Sequence, residues 1–294
     1  MSITSENHFY NKVQHYLSLI KFSHTFFALP FAFIGFALAV LKDGYEFKWS
    51  LLGLMLLCMV FARSAAMAFN RYIDYHFDAK NPRTANREIP AGVISAKSAL
   101  VFVIVCSMCF IGSAIFINKI CFYLSPIALF VILFYSYTKR FTALCHIVLG
   151  LGLSLAPIGA YLAVTGVFSV LPILFSLMVI GWVSGFDIIY ALQDEQFDKS
   201  IQLNSIPVAL GAKKALLLSS VLHTFTAVMV IIVGIYGEFN IWYWLGSMIY
   251  VGLLYYQHTL VKPNDLSKVN IAFVNTNSLA SILFAIFVII SMLF

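Results

Sequence analysis

Asn70, Asp74 and Asp78 stand at i, i+4 and i+8, and Asp187, Asp194 and Asp198 stand seven and four residues apart. On a helix the first set forms one stripe of oxygen ligands, and the second again shares a face. Carboxylates stacked in this way repel one another unless a cation sits between them. Mg2+ prefers carboxylate oxygen and keeps waters or phosphate oxygens as its further ligands. Basic residues accompany the clusters at Lys80, Arg83, Arg87, Lys139 and Arg140. Four facing Asp with such partners is the composition expected of a site for Mg2+ and a diphosphate. The Asp side chains would hold the metal, while Lys and Arg would hold the oxygens the metal does not reach. The plainer reading, polar residues solvating loop ends, explains one cluster more readily than a matched pair.

The elements that must position these groups are strongly apolar. Of 294 residues, 62% are hydrophobic and 10% charged, and the mean hydropathy is +0.94, where a soluble domain has about a quarter of its residues charged. Runs of roughly 20 apolar residues read as membrane-spanning helices. Nine are present: Phe22 to Leu41, Trp49 to Phe69, Ser98 to Ile117, Ile120 to Thr138, Leu144 to Val164, Val170 to Leu192, Ala215 to Tyr236, Ile241 to Val261 and Ile271 to Phe294. The expected fold is all-α, a single polytopic domain over residues 1–294 with nine transmembrane helices around a central cavity. The first run begins late, has the length of a span and lacks a small-residue cleavage site, so it is expected to stay in the membrane. Within this apolar chain, seven of the twelve acidic residues fall in Asp74 to Glu88 and Asp187 to Asp198. Asp187 lies inside the sixth run, where an ionised carboxylate costs about 2.5–3.5 kcal/mol. Either a polar cavity reaches it or it is neutral and hydrogen-bonded. Cys106 and Cys109 spell C-x-x-C on a lipid-depth run with no further ligand, so no redox or metal role is expected of them.

Lys and Arg set the orientation. With the N-terminus cytoplasmic, the inside segments collect most of the basic residues, and the outside loops keep only Lys42, Lys48 and Lys119. The net charge of +6 is then a topology signal with attraction to anionic lipid, and no nucleic-acid partner is implied. The two long inside loops also resemble each other. Asp74 and Asp78 repeat as Asp194 and Asp198 at an offset of 120, and each pair is followed by an Ile-Pro step and a Gly. Two four-helix pseudo-repeats, about 22–138 and 144–261, with a ninth helix at 271–294, fit this spacing and would set the clusters face to face.

"NRYIDYHFDAKNPRTANREIPAG" resembles the first signature of the UbiA-type intramembrane aromatic prenyltransferases, "DEQFD" resembles the second, and "YSYTKRFTALCHIVLG" resembles the family's Tyr-x-x-x-Lys-Arg segment. The resemblance implies that Asn70, Asp74, Asp78, Asp194 and Asp198 bind Mg2+ on a polyprenyl diphosphate. It also implies that Lys139 and Arg140 contact the diphosphate or an acidic acceptor, that Arg83 and Arg87 lie in a capping loop, and that Tyr135 sits near the acceptor. The reaction implied is ionisation of the allylic C–O bond, with the departing diphosphate stabilised by cations, and attack by an electron-rich ring carbon of a phenolic quinone precursor such as 4-hydroxybenzoate. Asp194 is the expected acceptor of the hydroxyl proton, and Asp187 is a substrate-binding candidate without an assigned role. The implied setting is the inner membrane of a bacterium with the site facing the cytoplasm.

The chain departs from the better-known quinone enzymes at "LIKFSHTFFALPFAFIG", where Lys21 and His24 replace the usual Arg and Lys-Pro. This segment is similar to a branch associated with the futalosine route to menaquinone, and it opens 1,4-dihydroxy-6-naphthoate as an alternative acceptor. Lys21 and His24 are therefore candidate acceptor contacts. A membrane transporter is the reading from another class, since repeats and intramembrane acids describe carriers too. It expects comparable polarity on both faces, whereas the polar residues here collect on one. A CDP-alcohol phosphotransferase would carry one compact Asp-rich motif rather than two that lie 120 residues apart.

Overall fold

The computed structural model describes residues 14–20 and 27–294. Among the described residues, a helical stretch over 14–19 is followed by ten named α-helices. They are α1 (Leu29–Ala37), extended by a π-helical turn over Leu38–Lys42, α2 (Trp49–Asp78), α3 (Ala96–Ile115), α4 (Lys119–Thr138), α5 (Cys145–Thr165), α6 (Val170–Ala191), α7 (Glu195–Ser200), α8 (Ile206–Tyr236), α9 (Ile241–Leu260) and α10 (Asn277–Leu293), the last preceded by a π turn over Ile271–Thr276. The described residues contain no β-strand; Lys262 and Asp265 form one isolated bridge. An all-helical chain is what a bilayer demands, because every backbone N–H and C=O in hydrocarbon must be satisfied within its own segment.

Seven of the described helical segments are long and apolar enough to cross a membrane. The two other expected spans differ from the seven for separate reasons. The stretch Leu29–Lys42 is apolar but shorter, and the start of the run expected from Phe22 lies outside the described residues. The helix α9 has the length, but Trp242, Tyr243, Trp244, Tyr250, Tyr255 and Tyr256 supply much of its apolar surface in place of aliphatic side chains.

Antiparallel neighbours pack as the short loops require: α2 on α3, α5 on α6, α6 on α8, and α9 on α10, with α1 laid across α5 and α10. The helix α6 is the most enclosed, its Phe175, Met178, Trp182 and Phe186 meeting Phe31, Tyr243, Tyr250 and Phe284 in the largest core cluster. Water does not drive helices together inside a bilayer, so close backbone approach and interhelical hydrogen bonds carry more of the association. Both are present. The indole of Trp182 donates to Asn277 Oδ1 (2.8 Å) and the Asn277 amide donates to Gln257 Oε1 (3.2 Å), tying α6, α9 and α10 together. Gly35 of α1 lies so near α5 that a Cβ there would stand 2.0 Å from the carbonyl oxygen of Pro157.

Three boundaries matter for the polar residues. The helix α2 runs to Asp78 rather than stopping at Phe69, so Asn70, Asp74 and Asp78 do share one helical stripe. Past Ala191 the chain tightens into a 3-10 turn, Leu192–Asp194, before α7, so Asp194 and Asp198 do not continue the α6 surface that carries Asp187. The helix α8 starts at Ile206, nine residues earlier than expected, because Ser205 caps it by accepting from Val208 N–H (3.3 Å) and Pro207 occupies its first turn. Gly211 breaks that helix at φ 74°, ψ 160°, a conformation side chains with a Cβ rarely adopt.

Replacing Gly35 by Ala forces α1 away from α5 at a backbone contact that cannot swing aside. The expected cost is about 1–3 kcal/mol, seen as a lower thermal unfolding temperature of the detergent-solubilised protein. Gly53, with nothing near its missing Cβ, is the control that should tolerate Ala.

Candidate active site

The C-terminal ends of α2, α4 and α6 converge at one end of the bundle with the loops that follow them. There they enclose a cavity of about 230 Å³. Five carboxylates line it, and four of them, all but Asp187, are each held by a different Arg or Lys. Asp74 accepts from Arg140 (2.9 Å), and Asn70 donates to its other oxygen (3.1 Å). Arg87 donates to both oxygens of Asp78 (2.6 and 2.8 Å). Asp194 accepts from Arg83 through Nε (2.9 Å) and through a second guanidinium nitrogen, and from the Asn81 amide (3.1 Å). Lys139 reaches Asp198 at 2.9 Å.

Local sequence explains how the basic groups arrive. The segment after α2 turns back at once: Thr84 donates its hydroxyl to Asp78 O (3.1 Å), and Arg83 N–H donates to Asn81 Oδ1 (3.0 Å). One short loop thereby carries Arg83 to the second cluster and Arg87 to the first. Lys139 and Arg140 follow the last turn of α4. Arg140 anchors itself on Ser136 O (2.8 Å) and Ile73 O (3.0 Å), with its guanidinium 5.3 Å from the ring centres of Phe77 and Tyr137. Asn204 N–H donates to Lys139 O (2.7 Å), fastening the α7–α8 connection to the α4–α5 connection. Burial of the Lys139 ammonium opposes its charge, but the Asp198 carboxylate outweighs that and holds its pKa above the ordinary value. The same contest at Arg83, with Asp194 and Tyr190 on the favourable side, also ends upward. Both stay cationic.

Asn70, Asp74, Asp78, Arg83, Arg87, Tyr135, Lys139, Asp187, Asp194 and Asp198 all line this one cavity. Arg140 does not line it and reaches it through Asp74. Lys21 and His24 lie outside the described residues. Sequence reasoning missed Asn81, Tyr190, His146, Arg63 and Arg71. Tyr190 receives Arg83 on its hydroxyl (3.0 Å). His146 meets Asp187 at 2.6 Å, the cavity reaching Asp187 at the depth where an acid needed either water or a partner. Arg63 and Arg71 each have a buried Nε without a hydrogen-bond partner. Arg63 stands seven positions before Asn70 on the same face, and an intramembrane Arg was in itself a signal. Asn81 and His146 had none.

Among the described residues no group of three or more His, Cys, Asp and Glu side chains lies together as a ready metal cage, because each motif Asp is turned to its cation. The donor chemistry fits Mg2+ nonetheless. Four carboxylates and the Asn70 amide oxygen are hard oxygen ligands in one cavity lining, and too few to replace all the waters or phosphate oxygens that Mg2+ retains.

A sequence profile of the UbiA prenyltransferase family matches residues 28–287. The chain belongs to that family. It is a UbiA-family prenyltransferase. A 4-hydroxybenzoate octaprenyltransferase from Aliivibrio fischeri (strain MJ11) is 30% identical over 249 residues, 84% of this chain and 86% of its own. One from Nitrosomonas europaea is 30% identical over 237 residues, 80% of each. Among solved structures, the UbiA homologue from Aeropyrum pernix K1 superposes with a TM-score of 0.82 at 31% identity, covering 92% of this chain and 98% of that one. The Archaeoglobus fulgidus homologue bound to GPP and Mg2+ shares the UbiA fold, with a TM-score of 0.75 at 21% identity over 95% and 100% of the two chains.

The loop that joins the two clusters is held by Arg83 and Arg87. In Arg83→Gln, amide hydrogen exchange across residues 79–94 should quicken by roughly tenfold as that attachment opens, while exchange in α6 stays unchanged. Unaltered exchange in the loop would mean that Asp194 does not restrain it.

Proposed function

We propose that this UbiA-family chain transfers a polyprenyl group from a polyprenyl diphosphate to a ring carbon of a small aromatic acid on the way to a quinone, with 4-hydroxybenzoate as the acceptor type. The observation that carries this reading is the pairing of four carboxylates with four cations around one cavity at one end of an apolar bundle. The curated relatives act on 4-hydroxybenzoate by name, and a structural neighbour holds GPP with Mg2+.

Asn70, Asp74, Asp78, Asp194 and Asp198 are the residues that would hold Mg2+. When bound, the ion neutralises diphosphate charge that would otherwise resist bond ionisation. Arg83, Arg87, Lys139 and Arg140 have a second task, because the carboxylates they now hold are the oxygens a metal would need. With donor bound they turn to phosphate oxygens, an exchange of one anion for another that leaves every cation paired. Tyr135 and the aromatic side chains Phe27, Phe186 and Phe273 extend the cavity into the bundle. They exclude water from an allylic cation and present ring faces to it. The apolar surroundings suit a polyprenyl tail, and the acceptor enters beside it.

Nine spans, with α1 and α9 crossing alongside the seven longer helices, remain part of this reading, as do the two four-helix pseudo-repeats. The meeting of the two Asp pairs at one cavity supports the latter. A cytoplasmic N-terminus in a bacterial inner membrane, the site opening to the cytoplasm, follows from the Lys and Arg distribution. The departure at Lys21 and His24 favours 1,4-dihydroxy-6-naphthoate as the second acceptor to be tried.

Purified protein in lipid, given labelled polyprenyl diphosphate, should yield C-prenylated acceptor only with Mg2+ and lose it on chelation. The two acceptors, assayed side by side with product masses, separate the branches. Asp74→Asn and Asp194→Asn should each lower kcat/KM by at least 100-fold, about 2.7 kcal/mol of transition-state stabilisation. Undiminished turnover in either variant overturns the assignment of the clusters.

A further inference from the structure

All four motif carboxylates are engaged by Arg or Lys, which leaves the expected proton acceptor, Asp194, in poor condition for that task. Two N–H groups of Arg83 and the Asn81 amide already donate to it, and hydrogen bonds to the charged form weaken a base. One cavity carboxylate has no Arg or Lys partner among the described residues. Asp187, on α6, keeps 21% of its side chain exposed, and its hydrogen-bond partner there is His146 of α5, whose side chain is 1% exposed. The direction of that bond follows from the other side of the ring. Ile206 N–H, which can only donate, faces His146 Nε2 at 3.4 Å, so the ring proton is on Nδ1 and points to Asp187 Oδ2. His146, itself buried, therefore fixes Oδ2 and leaves Oδ1 outside that bond, on a carboxylate that lines the same cavity as Tyr135 and Arg63.

We propose that Asp187, oriented by His146, is the catalytic base that takes the hydroxyl proton of the aromatic acceptor. This rests on the prenyl-transfer reading above and replaces Asp194 in one step of it. As the prenyl C1–O bond breaks, its electron pair leaves on the diphosphate. The ring carbon beside the hydroxyl forms the new C–C bond to C1, and Asp187 Oδ1 takes the hydroxyl proton. The dienone so formed loses the proton of the newly bonded carbon to the departed diphosphate. Asp187 then returns its proton to the ring oxygen, which restores the phenol and the base together. His146 is a positioning residue throughout and keeps its own proton.

The test uses the full chain in lipid with Mg2+, a polyprenyl diphosphate and 4-hydroxybenzoate, followed by its 3-fluoro, 3-chloro and 3-nitro derivatives, whose hydroxyls are progressively more acidic. Asp187→Asn should lower kcat on 4-hydroxybenzoate by about 100-fold with the KM for diphosphate unchanged. The deficit relative to the wild type should shrink along the series, because an acceptor already ionised needs no base. A deficit of constant size, or none, overturns the proposal and leaves prenyl transfer standing. His146→Phe, with Asp187 intact, should lower kcat by roughly tenfold with the diphosphate KM unmoved, and His146→Gln, which keeps an N–H donor, should recover most of it. Equal losses in the two His146 variants also overturn it. A wild type that prenylates none of the four acceptors removes the parent reading and this step with it, an outcome distinct from an active wild type and a silent Asp187→Asn.

Discussion

Four carboxylates cannot be packed around one cavity at the edge of a bilayer unless opposite charge is packed with them. Much of the molecule follows from that requirement. Leaving one such carboxylate buried and unpaired would cost several kcal/mol, so Asp74, Asp78, Asp194 and Asp198 each come with a cation. Supplying the cations dictates the connections. The loop after α2 has to double back to deliver Arg83 and Arg87, and α4 has to end where Lys139 and Arg140 face two different helices. The extra length of α2 beyond a bare span serves the same end, because it carries Asp74 and Asp78 past the lipid to where the cations are.

Away from the site, the bundle coheres by different means. Trp182, Asn277 and Gln257 form a chain of side-chain hydrogen bonds through the middle of α6, α10 and α9, and a second polar contact joins His223 to His258 at 2.7 Å. In hydrocarbon these groups have nowhere else to turn, so they specify which helix faces which. Gly35 against Pro157 does the same by shape. Such contacts hold a frame of α1, α5, α6, α8, α9 and α10 beside the charged end.

The helical class, the seven long apolar spans and the acidic clusters were legible in the sequence because each rests on a local regularity. Apolar runs have length, and Asn70, Asp74 and Asp78 have a four-residue rhythm that a helix turns into a stripe. The family signatures also picked out Arg83, Arg87, Lys139 and Tyr135, which the fold brings to one cavity. What could not be read depends on the chain's path in space. Asn81 reaches Asp194 only because the loop folds back, and His146 reaches Asp187 only because α5 lies on α6. The 3-10 turn at Leu192–Asp194, which separates Asp187 on α6 from Asp198 on α7, was not legible either, although all three Asp line the one cavity. The early start of α8 was signalled by Ser205 and Pro207, but a reading from apolar runs begins only after Lys213 and Lys214.

Four Asp against Arg83, Arg87, Lys139 and Arg140 form four ion pairs from side chains alone. The protein therefore carries its own counter-ions. A chain so equipped can insert and fold with these buried carboxylates already paired, so the stability of the charged end is written into the same polypeptide that needs it.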